Sequence, residues 1–115
     1  MTVRIYHNPR CSKSRQALQL LQAHGSEAEV VKYLETPPDA AELDALLKML
    51  GIGPRDLMRK GEAAYKASGA DDPNLSRSEL IELMVANPIL IERPVVVSDG
   101  RAVIGRPPER VLEIL

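Results

Sequence analysis

A strand, a helix and a second strand follow one another at the start of this chain, and that order leaves few folds open. Val3 and Ile5 alternate with Arg4 and Tyr6, which predicts a short strand from Thr2 to Tyr6. Ala17, Leu18, Leu20 and Leu21 recur at helical spacing, so a helix is expected from about Ser12 to His24. Gly25 stands where a terminating glycine belongs. Ala28 to Leu34, rich in β-branched residues, reads as a second strand. Two strands joined by a single helix must pair in parallel through a right-handed crossover.

The remainder completes the architecture. Pro37-Pro38-Asp39 ends the second strand, and Asp39 with Glu42 three residues on is an N-terminal cap for a helix carrying Leu43, Leu46, Leu47 and Leu50. Pro54 suits the first turn of a short helix, and Glu62 to Ala67 suits another turn or two. Ser68 to Asn74 is polar and loop-like. Ser76 with Glu79 opens a helix running to about Ala86. Val95-Val96-Val97, Ser98-Asp99-Gly100 and Ala102-Val103-Ile104 read as a hairpin, followed by a closing helix over Glu109 to Leu115. The expected fold is α/β: a mixed four-stranded sheet in the order β-α-β, helical insertion, β-β-α. With 115 residues it is expected to form one domain, 1–115, with the insertion at about 39–86.

Composition removes several function classes. The net charge is −1, and Trp and Phe are absent with only three Tyr, so neither a broad nucleic-acid surface nor a base-stacking platform is expected. No apolar run approaches the ~18 residues of a membrane span, and no signal peptide is visible. One cysteine cannot form an internal disulfide, so a reducing, cytoplasmic setting is expected. The charge is nonetheless uneven. Met1 to Ser26 holds Arg4, Arg10, Lys13 and Arg15 without a single acid, whereas the remaining 11 basic residues face all 16 acids.

That acid-free stretch surrounds Cys11, at the turn from the first strand to the first helix. A free thiol is only about 3% ionised at pH 7, and becoming mostly thiolate requires roughly 2.7 kcal/mol of differential stabilisation. A helix N-terminus typically supplies about 0.3–1 kcal/mol, so nearby cations must add the rest. His7, Arg10, Lys13 and Arg15 are the local candidates. A lone cysteine is ordinarily a small core residue. Here Pro9-Arg10 and Ser12-Lys13 flank it, and such flanks argue against a core position. Spacing narrows the chemistry. Ser14 replaces the second thiol of a Cys-x-x-Cys pair, Ala17 stands where a phosphatase loop needs arginine, and one Cys with two distant His cannot build a zinc site. A single-thiol nucleophile that depends on an outside thiol for rescue is what survives.

The motifs Tyr6-His7-Asn8-Pro9-x-Cys11-x-x-Ser14-Arg15, Tyr33-Leu34-Glu35-x-Pro37-Pro38, Leu57-Met58-Arg59-Lys60, Asn87-Pro88-Ile89-Leu90-Ile91-x-Arg93-Pro94-Val95-Val96-Val97 and Gly105-Arg106-Pro107 extend along essentially the whole chain. In combination they resemble the glutathione- and glutaredoxin-dependent arsenate reductases, which have a thioredoxin-like fold with a helical insertion. The resemblance implies an oxidoreductase with Cys11 as nucleophile and Arg59, Arg93 and Arg106 holding the substrate oxyanion. His7, with Ser14 and Arg15, would support the thiolate, and Pro94 stands where such folds carry a cis-proline. It further implies arsenate as substrate, glutathione as co-substrate, glutaredoxin as partner, and no bound cofactor or metal.

The arginines also have a physical rationale. Arsenate and thiolate repel at the moment of attack, and each charge-assisted hydrogen bond from a guanidinium contributes about 1.5–3 kcal/mol net. A solvated surface charge is the ordinary state of an arginine. Arg93 and Arg106 depart from that expectation because each precedes a proline at a strand boundary, whereas Arg59 rests on the resemblance. Arg10, Lys13 and Arg15 either tune charge, hold glutathione carboxylates or are simply solvated. Two alternatives remain: a monothiol oxidoreductase acting on glutathione mixed disulfides, which needs the same thiolate but not three convergent arginines, and a non-enzymatic Spx-type regulator, which shares the fold and binds RNA polymerase but typically carries Cys-x-x-Cys where this chain has Ser14.

Overall fold

Two strands buried along most of their length, Val3–His7 and Val95–Ser98, form the centre of a four-stranded mixed sheet. The computed structural model of the protein describes residues 3–115. Strand β1 is Val3–His7, one residue longer than expected at its C-terminal end, while Thr2 lies outside the described residues. Helix α1 (Ser12–Ala23) follows, then β2 (Ala28–Lys32), α2 (Ala40–Leu50), α3 (Ala63–Ala67), α4 (Arg77–Ala86), β3 (Val95–Ser98) and β4 (Arg101–Ile104). The sheet order is β2-β1-β3-β4. β1 and β2 are parallel with Ile5 opposite Val30, whereas β3 runs antiparallel to both β1 and β4.

The chain divides into two compact units. The first runs to Thr36 and resumes at Arg93–Leu115; the second is Pro37–Glu92. In the first, Val3, Ile5, Val96 and Val103 from the sheet are buried with Ala17 and Leu21 of α1 and with Val111 and Ile114. In the second, Leu43, Leu46 and Leu47 of α2 are buried, as are Leu80, Ile81 and Met84 of α4, and these two helices pack on each other. A single antiparallel bridge, Met58 to Ile91, ties the segment after Pro54–Leu57 to the end of this unit. Arg59 N–H donates to Leu90 O and Glu92 N–H to Leu57 O, each at 2.7 Å.

Local chemistry explains most boundaries. Helix α1 ends in a Schellman turn: Gly25 takes φ +77°, its N–H reaches Gln22 O, and Ser26 N–H reaches Leu21 O, both at 3.0 Å. Asp39 Oδ1 accepts Glu42 N–H at 2.8 Å, and Ser76 with Glu79 forms a reciprocal capping box. Asp99 and Gly100, at φ 50° and 75°, make the two-residue hairpin turn between β3 and β4.

Three expectations need correction, and one turn lies outside them. Strand β2 stops at Lys32 rather than Leu34, because the Lys32 carbonyl accepts the N–H groups of both Glu35 and Thr36 and turns the chain. The closing helix is 3-10, spanning Pro108–Ile114, and buries Pro108, Val111 and Ile114. At three residues per turn these three stand in one row. The turn opened by Pro54 is likewise 3-10, Pro54–Leu57. A further 3-10 turn, Pro88–Leu90, was not expected from the apolar pattern. Among the described residues no helix is long and apolar enough to cross a membrane.

Candidate active site

The loop from β1 to α1 is organised by Asn8. Its carbonyl accepts Cys11 N–H at 3.0 Å, its side-chain Oδ1 accepts Arg10 N–H at 3.0 Å, and its own N–H donates to Ser14 Oγ at 3.0 Å. Cys11 thereby becomes the N-cap residue of α1, in extended conformation, with its side chain making no capping bond. The Ser14 and Lys13 N–H groups of the first turn favour the ionised form of the Cys11 thiol. The residue is 8% exposed. Polar flanks therefore did not keep Cys11 out of the interior: Pro9, Arg10, Ser12 and Lys13 are exposed while the side chain between them turns inward.

Burial pushes the Cys11 thiol up, yet the net displacement is downward. The Ser14 N–H, the Arg93 charge, the Lys13 N–H and the Arg106 charge together outweigh burial. Arg106 Nη2 approaches the sulfur to 3.6 Å, and Arg106 Nε donates to the Arg93 carbonyl at 2.8 Å. Two arginines from the far end of the chain thus meet at the thiol, flanking β3 and β4. The peptide bonds Arg93–Pro94 and Arg106–Pro107 are both cis. Gly105 underlies this corner: its N–H donates to Pro94 O at 2.9 Å, and a Cβ there would stand 2.8 Å from Pro94 Cγ.

The charge beside the sulfur therefore comes from Arg93 and Arg106 rather than from neighbours in sequence. Arg15 Nη1 donates to the Pro9 carbonyl at 2.8 Å and so braces the loop. His7 is 6% exposed, and its Nδ1 lies 2.6 Å from Ser14 Oγ. Burial, together with the Lys32 and Arg15 charges, holds the His7 imidazole below its ordinary range. That shift favours the neutral ring, whose hydrogen bond positions Ser14. Arg59 belongs to the second unit, where it pairs with Glu62 at 2.7 Å. Among the described residues no group of three His, Cys, Asp or Glu side chains converges as metal ligands do.

Sequence reading left Asn8, Lys32 and Gly105 without roles. For Asn8 a signal was present, since Asn-Pro marks a turn. Lys32 and Gly105 act through pairing and packing partners distant in sequence, and nothing local marks them.

A lone cysteine at the N-terminus of the first helix, in a chain whose antiparallel strand β3 directly follows a cis-proline, defines a thioredoxin-like protein. A profile of the ArsC family matches residues 6–114, and the chain belongs to that family. The chain is 60% identical over 114 residues to the uncharacterised Escherichia coli protein YfgD, covering 98% of this chain and 96% of the relative. It is 47% identical to an arsenate reductase of Neisseria meningitidis serogroup A, covering 98% and 97%. The structure of an arsenate reductase from Vibrio cholerae superposes with a TM-score of 0.97 at 51% identity, covering 100% of this chain and 98% of that one.

Proposed function

We propose that this protein is an oxidoreductase that reduces arsenate to arsenite through Cys11, with glutathione and glutaredoxin as thiol co-substrate and partner in a reducing cytoplasm. The observation that carries the reading is Arg106 Nη2 at 3.6 Å from the sulfur of Cys11, the N-cap residue of α1. The arsenate reductases among its relatives supply the substrate.

In this reading the Cys11 thiolate attacks arsenic and expels water after proton transfer, giving a sulfur–arsenic(V) adduct. Arg93 and Arg106, with Arg59, hold the oxyanion as like charges approach. Glutathione thiolate then attacks the Cys11 sulfur. The new S–S bond is made from the glutathione sulfur's lone pair, the S–As pair leaves with arsenic, and arsenic departs as arsenite in the +3 state, the two thiols having lost two electrons to it. Glutaredoxin takes the glutathionyl group from Cys11 and restores the thiol, a step required because position 14 is Ser.

A coupled assay with arsenate, glutathione, glutaredoxin, glutathione reductase and NADPH tests this. Arsenate-dependent NADPH consumption is expected, lost in Cys11→Ser and lowered at least tenfold in Arg93→Ala and Arg59→Ala. If NADPH consumption is independent of arsenate, the reading fails. If Arg93→Ala turns over a glutathionylated model disulfide as well as wild type while arsenate reduction is absent, the chain is a monothiol oxidoreductase instead.

A further inference from the structure

Beside the Cys11 loop, within the first unit, a pocket of about 250 Å³ opens between that loop and the turn following β2. His7, Asn8 and Arg10 line it from the loop, and Lys32, Leu34 and Glu35 from the turn. Its charged groups are two cations and one carboxylate. Arg10, Lys32 and Glu35 are exposed, and none forms an ion pair with another described residue. Lys32 and Glu35 are held on one turn, since Glu35 N–H donates to Lys32 O at 2.9 Å. The back wall is the buried His7 ring, whose Nδ1 is engaged with Ser14, leaving Nε2 as its remaining polar atom. Asn8, another wall residue, accepts Cys11 N–H, so pocket and thiol share one short loop.

We propose that this pocket binds the charged ends of the thiol co-substrate, a peptide thiol with two carboxylates and one ammonium group. The inference rests on the glutathione dependence proposed above. Glutathione has that charge set at neutral pH, the complement of Arg10, Lys32 and Glu35, and Leu34 offers apolar surface to its methylene groups. Of the three cations the sequence offers for glutathione, only Arg10 lines the pocket. Arg15 is spent on the Pro9 carbonyl, and Lys13 lies outside the lining.

The test is an NMR titration of the full chain with S-methylglutathione, whose blocked sulfur cannot react with Cys11. Amide shifts are expected at Asn8, Arg10, Lys32, Leu34 and Glu35. Binding should weaken about fivefold in Lys32→Glu and in Arg10→Glu, while Lys32→Arg retains it. Absence of shifts at those amides, or indifference to both charge reversals, overturns the proposal. So does phosphate, if it produces the same shifts at equal affinity, because the pocket is then a plain anion site. Arsenate turnover measured in parallel separates the two readings. Turnover with a silent pocket removes the site and leaves the reaction; pocket binding without arsenate turnover leaves the site and removes arsenate as substrate.

Discussion

Cys11 draws its reactivity from a balance of opposed effects on one sulfur atom. Burial favours the neutral thiol, and the α1 N–H groups with Arg93 and Arg106 favour the anion. Because the net effect is downward, iodoacetamide should alkylate Cys11 at pH 7 faster than a free cysteine. Arg106→Ala should slow that alkylation about three- to tenfold and move its pH midpoint upward. An unchanged midpoint would falsify the role given to Arg106. His7 titrates in the opposite sense to a charge donor. Its native pKa lies below the unfolded value of about 6.5, so the native state favours the neutral ring. The stability this gives is complete above about pH 6.5 and is lost as pH falls below it, because the unfolded chain takes up the proton first. Urea midpoints between pH 7.5 and 5 should therefore fall more steeply in wild type than in His7→Asn, about which range equal slopes would count against a neutral His7.

At the scale of elements, the segments with local chemical signals matched their sequence signatures most closely. The caps at Asp39 and Ser76, the glycine stop at Gly25 and the Asp99-Gly100 hairpin all depend on residues within a few positions of one another. The closing segment shows the limit of such reading. Val111 and Ile114 suit an α-helix or a 3-10 helix, and burial of Pro108 in the same row selects the latter. Gly105 is a similar case, since its need for hydrogen at Cα comes from Pro94, Val111 and Ala17, none of them near it in sequence except Val111. Gly105→Ala should destabilise the protein by about 1–3 kcal/mol through overpacking, measured by urea denaturation. It should also lower Cys11 reactivity, because the corner it distorts carries Arg93 and Arg106. A stability equal to wild type would show that Pro94 yields freely.

Across the whole molecule, charge and topology act together. The first 26 residues carry four basic residues and no acid in a chain of net charge −1, and Arg93 and Arg106 add their charge at Cys11. Raising ionic strength from about 0.1 to 1 M shrinks the screening length from about 10 to about 3 Å. The kcat/KM for arsenate should fall about threefold or more over that range; a constant value would mean that long-range charge plays no part in capture. By itself the sequence determined the β-α-β start, the hairpin, the capped helices and the placement of a lone thiol at a helix N-terminus, because each follows from periodicity or from side chains acting on nearby backbone. Only the tertiary structure decided that Cys11 is buried, that its charge partners are Arg93 and Arg106, and that burial favours the neutral ring of His7. Those outcomes depend on desolvation and on charges brought together across some eighty to ninety-five residues of chain, and no local pattern encodes such distances.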